Sequence, residues 1–368
     1  MSRHIVIDAR LYSSSTGRYV RKLIENLEYI NKNNRYTILL NKKDFSLYVP
    51  KSNNFSKISV NYDNYLFVSH KKYKAMLTNL KPDLVHFTFP NQPLNYSKKS
   101  VVTIHDLTPL TRYPRNGFSK IISLPKHYAA KGFYYNQIKD ALTNSSTVIA
   151  PSNFVKNQIK KLNINKNNID VIYESADKIN QKPSELTNLK NKIYILYVGR
   201  VQPHKNIYGL IKAFDLLKKS NPNLKLVITG KHGQEYKRLI NALAPTTKAN
   251  IVFTGFVDEQ TLRWLYENAE AYVFPSLSEG FGLPGLEAMA HGCPVVSSNA
   301  TCLPEVYGNG ALYFDPTNVD DMANKIRRVL SDKKLRAELT KKGYAQVKKY
   351  SWEKMAKQTL NVYKSVLR

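Results

Sequence analysis

Short apolar, β-branched runs alternate along this chain with longer amphipathic stretches. Strand-like runs fall at Ile5–Asp8, Tyr36–Leu40, Leu84–Phe87, Val101–Ile104, Thr147–Ala150 and Asp170–Tyr173. A second series follows at Ile193–Val198, Lys225–Thr229, Ile251–Thr254, Ala271–Phe274 and Pro294–Ser297. Helical runs such as Tyr208–Lys219 and Gln260–Asn268 lie between them. This alternation is the pattern of parallel βαβ units. The polar stretch Asp177–Lys192, with Pro183, Ser184 and several Asn and Lys residues, separates the two series and reads as a connection. The expected fold is α/β, with two Rossmann-like doubly wound domains over 1–178 and 193–350. A linker over 179–192 joins them, and 351–368 forms a C-terminal helix able to return to the first domain. In such sheets ligands sit beyond the carboxyl ends of the strands. Two domains facing each other then offer a cleft there, and the residues just after each strand are the ones to inspect.

Composition adds three constraints. A chain of 368 residues suits two domains, and 42% hydrophobic residues are enough for packed cores. The opening residues read as a strand rather than a signal peptide, and no 18-residue apolar run is present, so no membrane span is expected. Two cysteines, Cys293 and Cys302, make a disulfide framework improbable and fit a reducing, cytoplasmic location.

The net charge of +29 is unevenly spread. Lysines and arginines crowd the first 180 residues and the last 48, whereas residues 251–320 are acidic. Basic segments of this kind call for an anionic partner, although a general bias toward Lys, Asn and Tyr offers a blander origin. The segment Arg112–Lys139 combines Arg112, Arg115, Lys120, Lys126, Lys131 and Lys139 with interleaved aromatics such as Tyr113, Phe118, Phe133, Tyr134 and Tyr135. It is the candidate for docking on an anionic membrane surface. A solvated basic helix with its aromatics in the core is the alternative.

Four motifs carry candidate chemistry. The run from Ser276 to Ala290 follows a strand and holds Glu279, Gly280, Gly282, Leu283, Pro284, Gly285 and Glu287. Pro284 suits a first helical turn. The amides of Gly282 and Leu283 then point out of a helix N-terminus, which is an anion site. Glu287, expected in the first turn, can accept hydrogen bonds from a ribose diol, and Glu279 from sugar hydroxyls. Second, the strand ending at Gly199 is followed by Arg200 and, five residues on, Lys205. Two cations there suit a diphosphate and can steady the charge that grows on a leaving nucleoside diphosphate. Third, His105 and Asp106 end a first-domain strand; the His105 imidazole or its carbonyl can face a donor sugar, or the two can be a structural pair. Fourth, Ser14-Ser15-Thr16-Gly17-Arg18-Tyr19 places small residues before a helix, a weak phosphate or acceptor loop. The chain has no Asp-x-Asp, the usual metal clamp of sugar nucleotides, and no Gly-x-x-x-x-Gly-Lys-Ser/Thr loop.

Together these residues resemble glycosyltransferase family 4, over most of the chain and most specifically in its second half. Glu279 and Glu287, with seven residues between, look like that family's paired glutamates, and Arg200 and Lys205 like its diphosphate-binding cations. Segments 150–155, 172–177, 292–296 and 303–306 resemble further family segments. Residues 103–110 with 203–206 look most like bacterial mannosyltransferases of O-antigen and related polysaccharide pathways. The resemblance implies the GT-B fold and a retaining, metal-independent transfer of a hexose, mannose favoured, from a GDP- or UDP-sugar. The acceptor is expected to be a lipid-linked or polysaccharide chain, reached from the cytoplasmic face of the membrane. The leaving phosphate is expected to help deprotonate it. The likeness also puts Val257 near the base and His105 near the donor sugar, with the Gly17 loop near the acceptor. In that loop Ser15 replaces a glycine frequent in the family. Alternatives are a glucosyl, galactosyl or N-acetylhexosaminyl transferase, an epimerase of the same architecture, an inactive sugar-binding relative and, remotely, a basic nucleic-acid-binding protein.

Overall fold

The computed structural model describes residues 2–14, 16–60, 67–110, 124–164, 168–231 and 233–368, excluding the side chains of 67–69 and 124–130. Among these residues the chain divides into two compact units. One holds the described residues up to Glu174 together with Ser351–Arg368, the other Ser175–Tyr350.

The first unit carries a parallel sheet of β1 (His4–Asp8), β2 (Arg35–Asn41), β3 (Phe55–Val60), β4 (Leu84–Phe87), β5 (Ser100–Thr103), β6 (Thr147–Ala150) and β7 (Ile169–Val171). Their order is β3-β2-β1-β4-β5-β6-β7. Ile5, Val6, Ile7, Val101 and Val102 are wholly buried. Such runs, apolar on both faces, are what a sheet covered by helices on either side requires. The order reverses direction between β1 and β4, so the loops after these strands diverge and leave a crevice at their carboxyl ends.

The second unit repeats the plan with β8 (Tyr194–Val198), β9 (Lys225–Thr229), β10 (Ile251–Gly255), β11 (Ala271–Phe274), β12 (Val295–Ser298) and β13 (Ala311–Phe314), in the order β10-β9-β8-β11-β12-β13. Its switch lies between β8 and β11. Both sheets thus have the doubly wound form expected from the sequence. The two strands that escaped the hydrophobic pattern, β3 and β13, are edge strands. β3 buries only Phe55 and Val60 fully, leaving Ser56, Lys57 and Ser59 less covered. Half-covered edges need no continuous apolar run.

The C-terminal helix Trp352–Leu367 belongs to the first unit, where it packs on the helix Gly17–Ile30. Trp352, Met355, Leu360 and Tyr363 are buried. The stretch 179–192 is held on the second unit. The Ile179 amide donates to His291 Nε2 at 3.0 Å, and that of Ser184 to the Gln260 carbonyl at 3.2 Å. Arg263 donates to the carbonyls of Asn180 and Gln181, and Leu189 is buried. Its polar side chains look like a free connection, but its backbone is tied down. Among the described residues no helix is long and apolar enough to cross a membrane.

Candidate functional site

In the second unit the chemistry collects at the switch between β8 and β11. These strands run parallel with Ile195 opposite Ala271, so their following loops emerge side by side. The Leu277 amide donates to the His204 carbonyl at 2.7 Å and binds the two loops together. Lys205 Nζ thereby reaches Glu279 Oε1 at 2.6 Å, both side chains mostly buried, and sits 5.6 Å over the Phe274 ring. The Glu279 loop is itself fixed: its amide meets Thr301 Oγ1 at 3.2 Å and Cys302 Sγ lies 3.3 Å from its carbonyl. Arg200 is exposed, while its carbonyl accepts a bond from Tyr197 Oη at 3.2 Å.

The helix Leu283–Ala290 starts at Gly282, whose φ of 90° lies in the left-handed region. A Cβ there would also stand 2.6 Å from Tyr307 Oη, so glycine is required on two counts. Tyr307 Oη donates to the Gly282 carbonyl at 2.5 Å, which sets the direction of the first turn. With Pro284 in that turn, the Gly282 and Leu283 amides meet no partner among the described residues and form a free, positively polarised end. Glu287 is not in the first turn, as expected, but one turn further in, because Leu283 is the first helical residue. It is buried and accepts a bond from Tyr266 Oη at 3.2 Å. Val257 is half-buried in the loop between β10 and the helix Glu259–Asn268, which Asp258 caps.

In the first unit a cavity of about 310 Å³ lies at the carboxyl ends of the strands. Leu11, Phe89, Phe133 and Tyr134 give it apolar and aromatic walls; Thr16, Asn91, His105, Asp106 and Gln137 supply polar groups. His105 is held on both sides. Its Nε2 lies 2.9 Å from the Thr88 carbonyl and its Nδ1 3.1 Å from Glu174 Oε1, while the Tyr19 ring meets it edge-on at 4.8 Å. Burial alone would lower the His105 pKa; the hydrogen bond and charge of Glu174, the Thr88 carbonyl and Asp106 outweigh it and raise the pKa. Both ring nitrogens are therefore occupied, which leaves the backbone carbonyl as the group His105 can offer a sugar. The alternative of a structural pair with Asp106 is not what forms: Asp106 Oδ1 accepts from the Thr108 amide, at 2.8 Å.

Of the fourth motif, Ser15 lies outside the described residues. Gly17 opens the helix Gly17–Ile30 and passes so near Tyr12 that a Cβ would stand 2.1 Å from its carbonyl oxygen. Thr16 lines the cavity and Arg18 is half-buried. Tyr19 is buried, with Oη 3.0 Å from Thr103 Oγ1. Most of the proposed membrane segment Arg112–Lys139 lies outside the described residues or side chains. Within its remainder, Phe133 and Tyr134 turn to the cavity, while Lys139 and Tyr135 are exposed. Glu174 and Thr88 fix His105, and no sequence motif marks either as a site residue. A Glu and a Thr far apart in sequence carry no local signal.

Comparison with known proteins places these units. Residues 17–178 match the family model Glycosyltransferase Family 4 and residues 177–346 match Glycosyl transferases group 1. O-antigen chain mannosyltransferase B of Escherichia coli is 33% identical over 280 residues, 73% of this chain and 70% of that protein. O-antigen chain mannosyltransferase RfbU of Salmonella typhimurium is 32% identical, over 63% of this chain and 65% of that one. The chain spans only 36% of a third relative, the serotype-specific mannosyltransferase WbdA of E. coli. Among solved structures, sucrose-phosphate synthase of Thermosynechococcus elongatus superposes over 99% of both chains with a TM-score of 0.79 at 20% identity. Anabaena Alr3699/HepE, in complex with UDP and glucose, covers 99% of this chain and all of its own at 0.73 and 17%. With its two doubly wound units and both family domains, the chain belongs to glycosyltransferase family 4 and is a transferase enzyme of the GT-B fold.

Proposed function

We propose that the enzyme transfers a hexose, mannose by preference, from a nucleoside diphosphate donor to a lipid-linked or polysaccharide acceptor, with retention of anomeric configuration. The observation that carries this is the convergence at the β8–β11 switch. Lys205 paired to Glu279, the exposed Arg200 and the open helix end at Gly282 and Leu283 offer positive charge for a diphosphate. Glu279 and Glu287 offer hydroxyl acceptors for sugar and ribose, and Val257 a contact for the base. The two cations then take the place of a divalent metal in steadying the departing diphosphate, so no metal is required. The preference for mannose draws on the relatives named as mannosyltransferases.

The cavity beside Thr16, His105 and Asp106 is the proposed acceptor site. Aromatic walls with a few polar groups suit a sugar ring, apolar on its faces and polar at its edge. Docking of the basic first half of the chain on an anionic membrane would bring a lipid-linked acceptor to it. The test is a panel of GDP-mannose, UDP-glucose, UDP-galactose and UDP-GlcNAc, scored by protection against thermal unfolding and by slow release of nucleoside diphosphate. GDP-mannose is expected to give the largest effect. Protection by none of the four would remove the donor assignment.

A further inference from the structure

We propose that Glu174 is a positioning residue for the transfer: it holds the His105 ring as an oriented imidazolium, paired with its own carboxylate, in the wall of the first-unit cavity, and so fixes that wall of the proposed acceptor site. This rests on the transferase function proposed above.

The argument begins with the two acceptors that His105 faces. The Thr88 carbonyl can only accept, so Nε2 must carry a hydrogen. The Glu174 carboxylate also accepts, at Nδ1. A neutral ring has one N–H and would leave one of these acceptors without a donor. Glu174 is 5% exposed, so little water can stand in, and an unmet buried carboxylate is costly. Beside an acceptor-only carboxylate, the doubly protonated ring satisfies both.

The surroundings agree. Thr88, which takes one N–H, donates its hydroxyl to the Asp8 carbonyl at 2.6 Å, so the ring is fastened to the ends of β1 and β4. Glu174 follows β7, and His105 follows β5. The imidazolium therefore ties together the loops after β4, β5 and β7, and the Thr88 hydroxyl carries that tie across the sheet's switch to β1. The other groups facing it are Tyr19 from the first helix, Asp106 from its own loop and His86 from β4. His86 is pushed down to about 3, chiefly by burial and further by the charge of His105. It stays neutral, and the positive charge rests on His105 alone. His105 lines the cavity and Glu174 does not, so Glu174 acts through the ring.

The test uses the full chain and Glu174→Gln. Glutamine keeps the shape and can donate to Nδ1, so it removes the need for a second ring proton. Two readouts are taken: imidazole NMR signals against pH, with His105→Gln for assignment, and kcat against pH. The His105 midpoint is expected above 6.5 in the natural chain and at lower pH in the variant. The alkaline limb of kcat should move down with it, costing on the order of tenfold at pH 8 for each pH unit of displacement, with little change at pH 6. Glu174→Asp, which keeps the charge, should restore much of that limb. Coincident NMR midpoints, or kcat profiles that coincide despite a shifted midpoint, overturn the proposal. If Glu174→Gln fails to fold, a midpoint at or below 6.5 in the natural chain overturns it, and one above 6.5 that stays above 6.5 in Glu174→Asp supports it. A natural chain that turns over no donor defeats the transferase function instead, while the NMR midpoints still decide whether Glu174 holds the cation.

Discussion

At the scale of residues, the second-unit site was largely legible and the first-unit site was not. Arg200 and Lys205 lie in the loop that follows β8, and Gly282 and Glu287 in the loop and helix that follow β11, where local pattern gives their position. The Lys205–Glu279 ion pair joins residues 74 apart and depends on the Leu277–His204 backbone bond, which no local pattern encodes. The same limit hid the Glu174–His105 contact, 69 residues apart. If Arg200 and Lys205 steady the leaving group, Arg200→Ala and Lys205→Ala should each lower kcat by about 10²-fold, with a smaller change in donor affinity. Rapid-quench kinetics with the donor in excess would check this, and near-normal turnover in the double variant would refute it. Glu287→Ala should weaken donor binding by roughly 1.5–3 kcal/mol, the scale of a charge-assisted hydrogen bond. Calorimetric titration of folded protein with donor measures that directly, and unchanged affinity would remove Glu287 from the ribose.

Elements followed the hydrophobic pattern wherever strands are central and buried on both faces. They escaped it at the edges β3 and β13, where half the residues meet solvent. The return of the C-terminal helix has a polar consequence. Tyr363 Oη stands 2.6 Å from His86 Nδ1, and His86 Nε2 stands 2.8 Å from Thr103 Oγ1, which also meets Tyr19. This buried chain links the last helix to the first. Burial, with the His105 charge, depresses His86 to about 3 from an ordinary 6.5. The folded chain thus binds fewer protons than the unfolded one between those values. The stability concerned is complete above pH 6.5 and is lost as pH falls toward 3. His291 in the second unit, depressed by burial to about 4, acts in the same direction. His105, with its raised pKa, has the opposite sign: its contribution is complete below pH 6.5 and lost as pH rises through its folded midpoint. Thermal midpoints measured from pH 7 to pH 4 should therefore fall. His86→Asn should be less stable at pH 7 yet lose less on acidification. Equal slopes in the two proteins would show that His86 does not supply the acid sensitivity.

For the whole molecule, the charge of +29 is read directly from composition, but its purpose is not. If the basic first half meets an anionic membrane, charge reversal at Lys120, Lys126 and Lys131 should release the chain from vesicles containing anionic lipid. It should leave donor hydrolysis intact. Co-sedimentation checks this, and equal binding to neutral vesicles would dismiss the electrostatic explanation. The central claim is that this chain moves a hexose from a nucleoside diphosphate without a metal and with retention. The most direct measurement is a proton NMR time course of GDP-mannose with a glycan acceptor, in the presence of EDTA. The expected result is the rise of an α-linked mannosyl anomeric signal in step with free GDP. A β-linked product, transfer that appears only when Mg²⁺ or Mn²⁺ replaces EDTA, or epimerised donor with no acceptor consumed would each contradict the account.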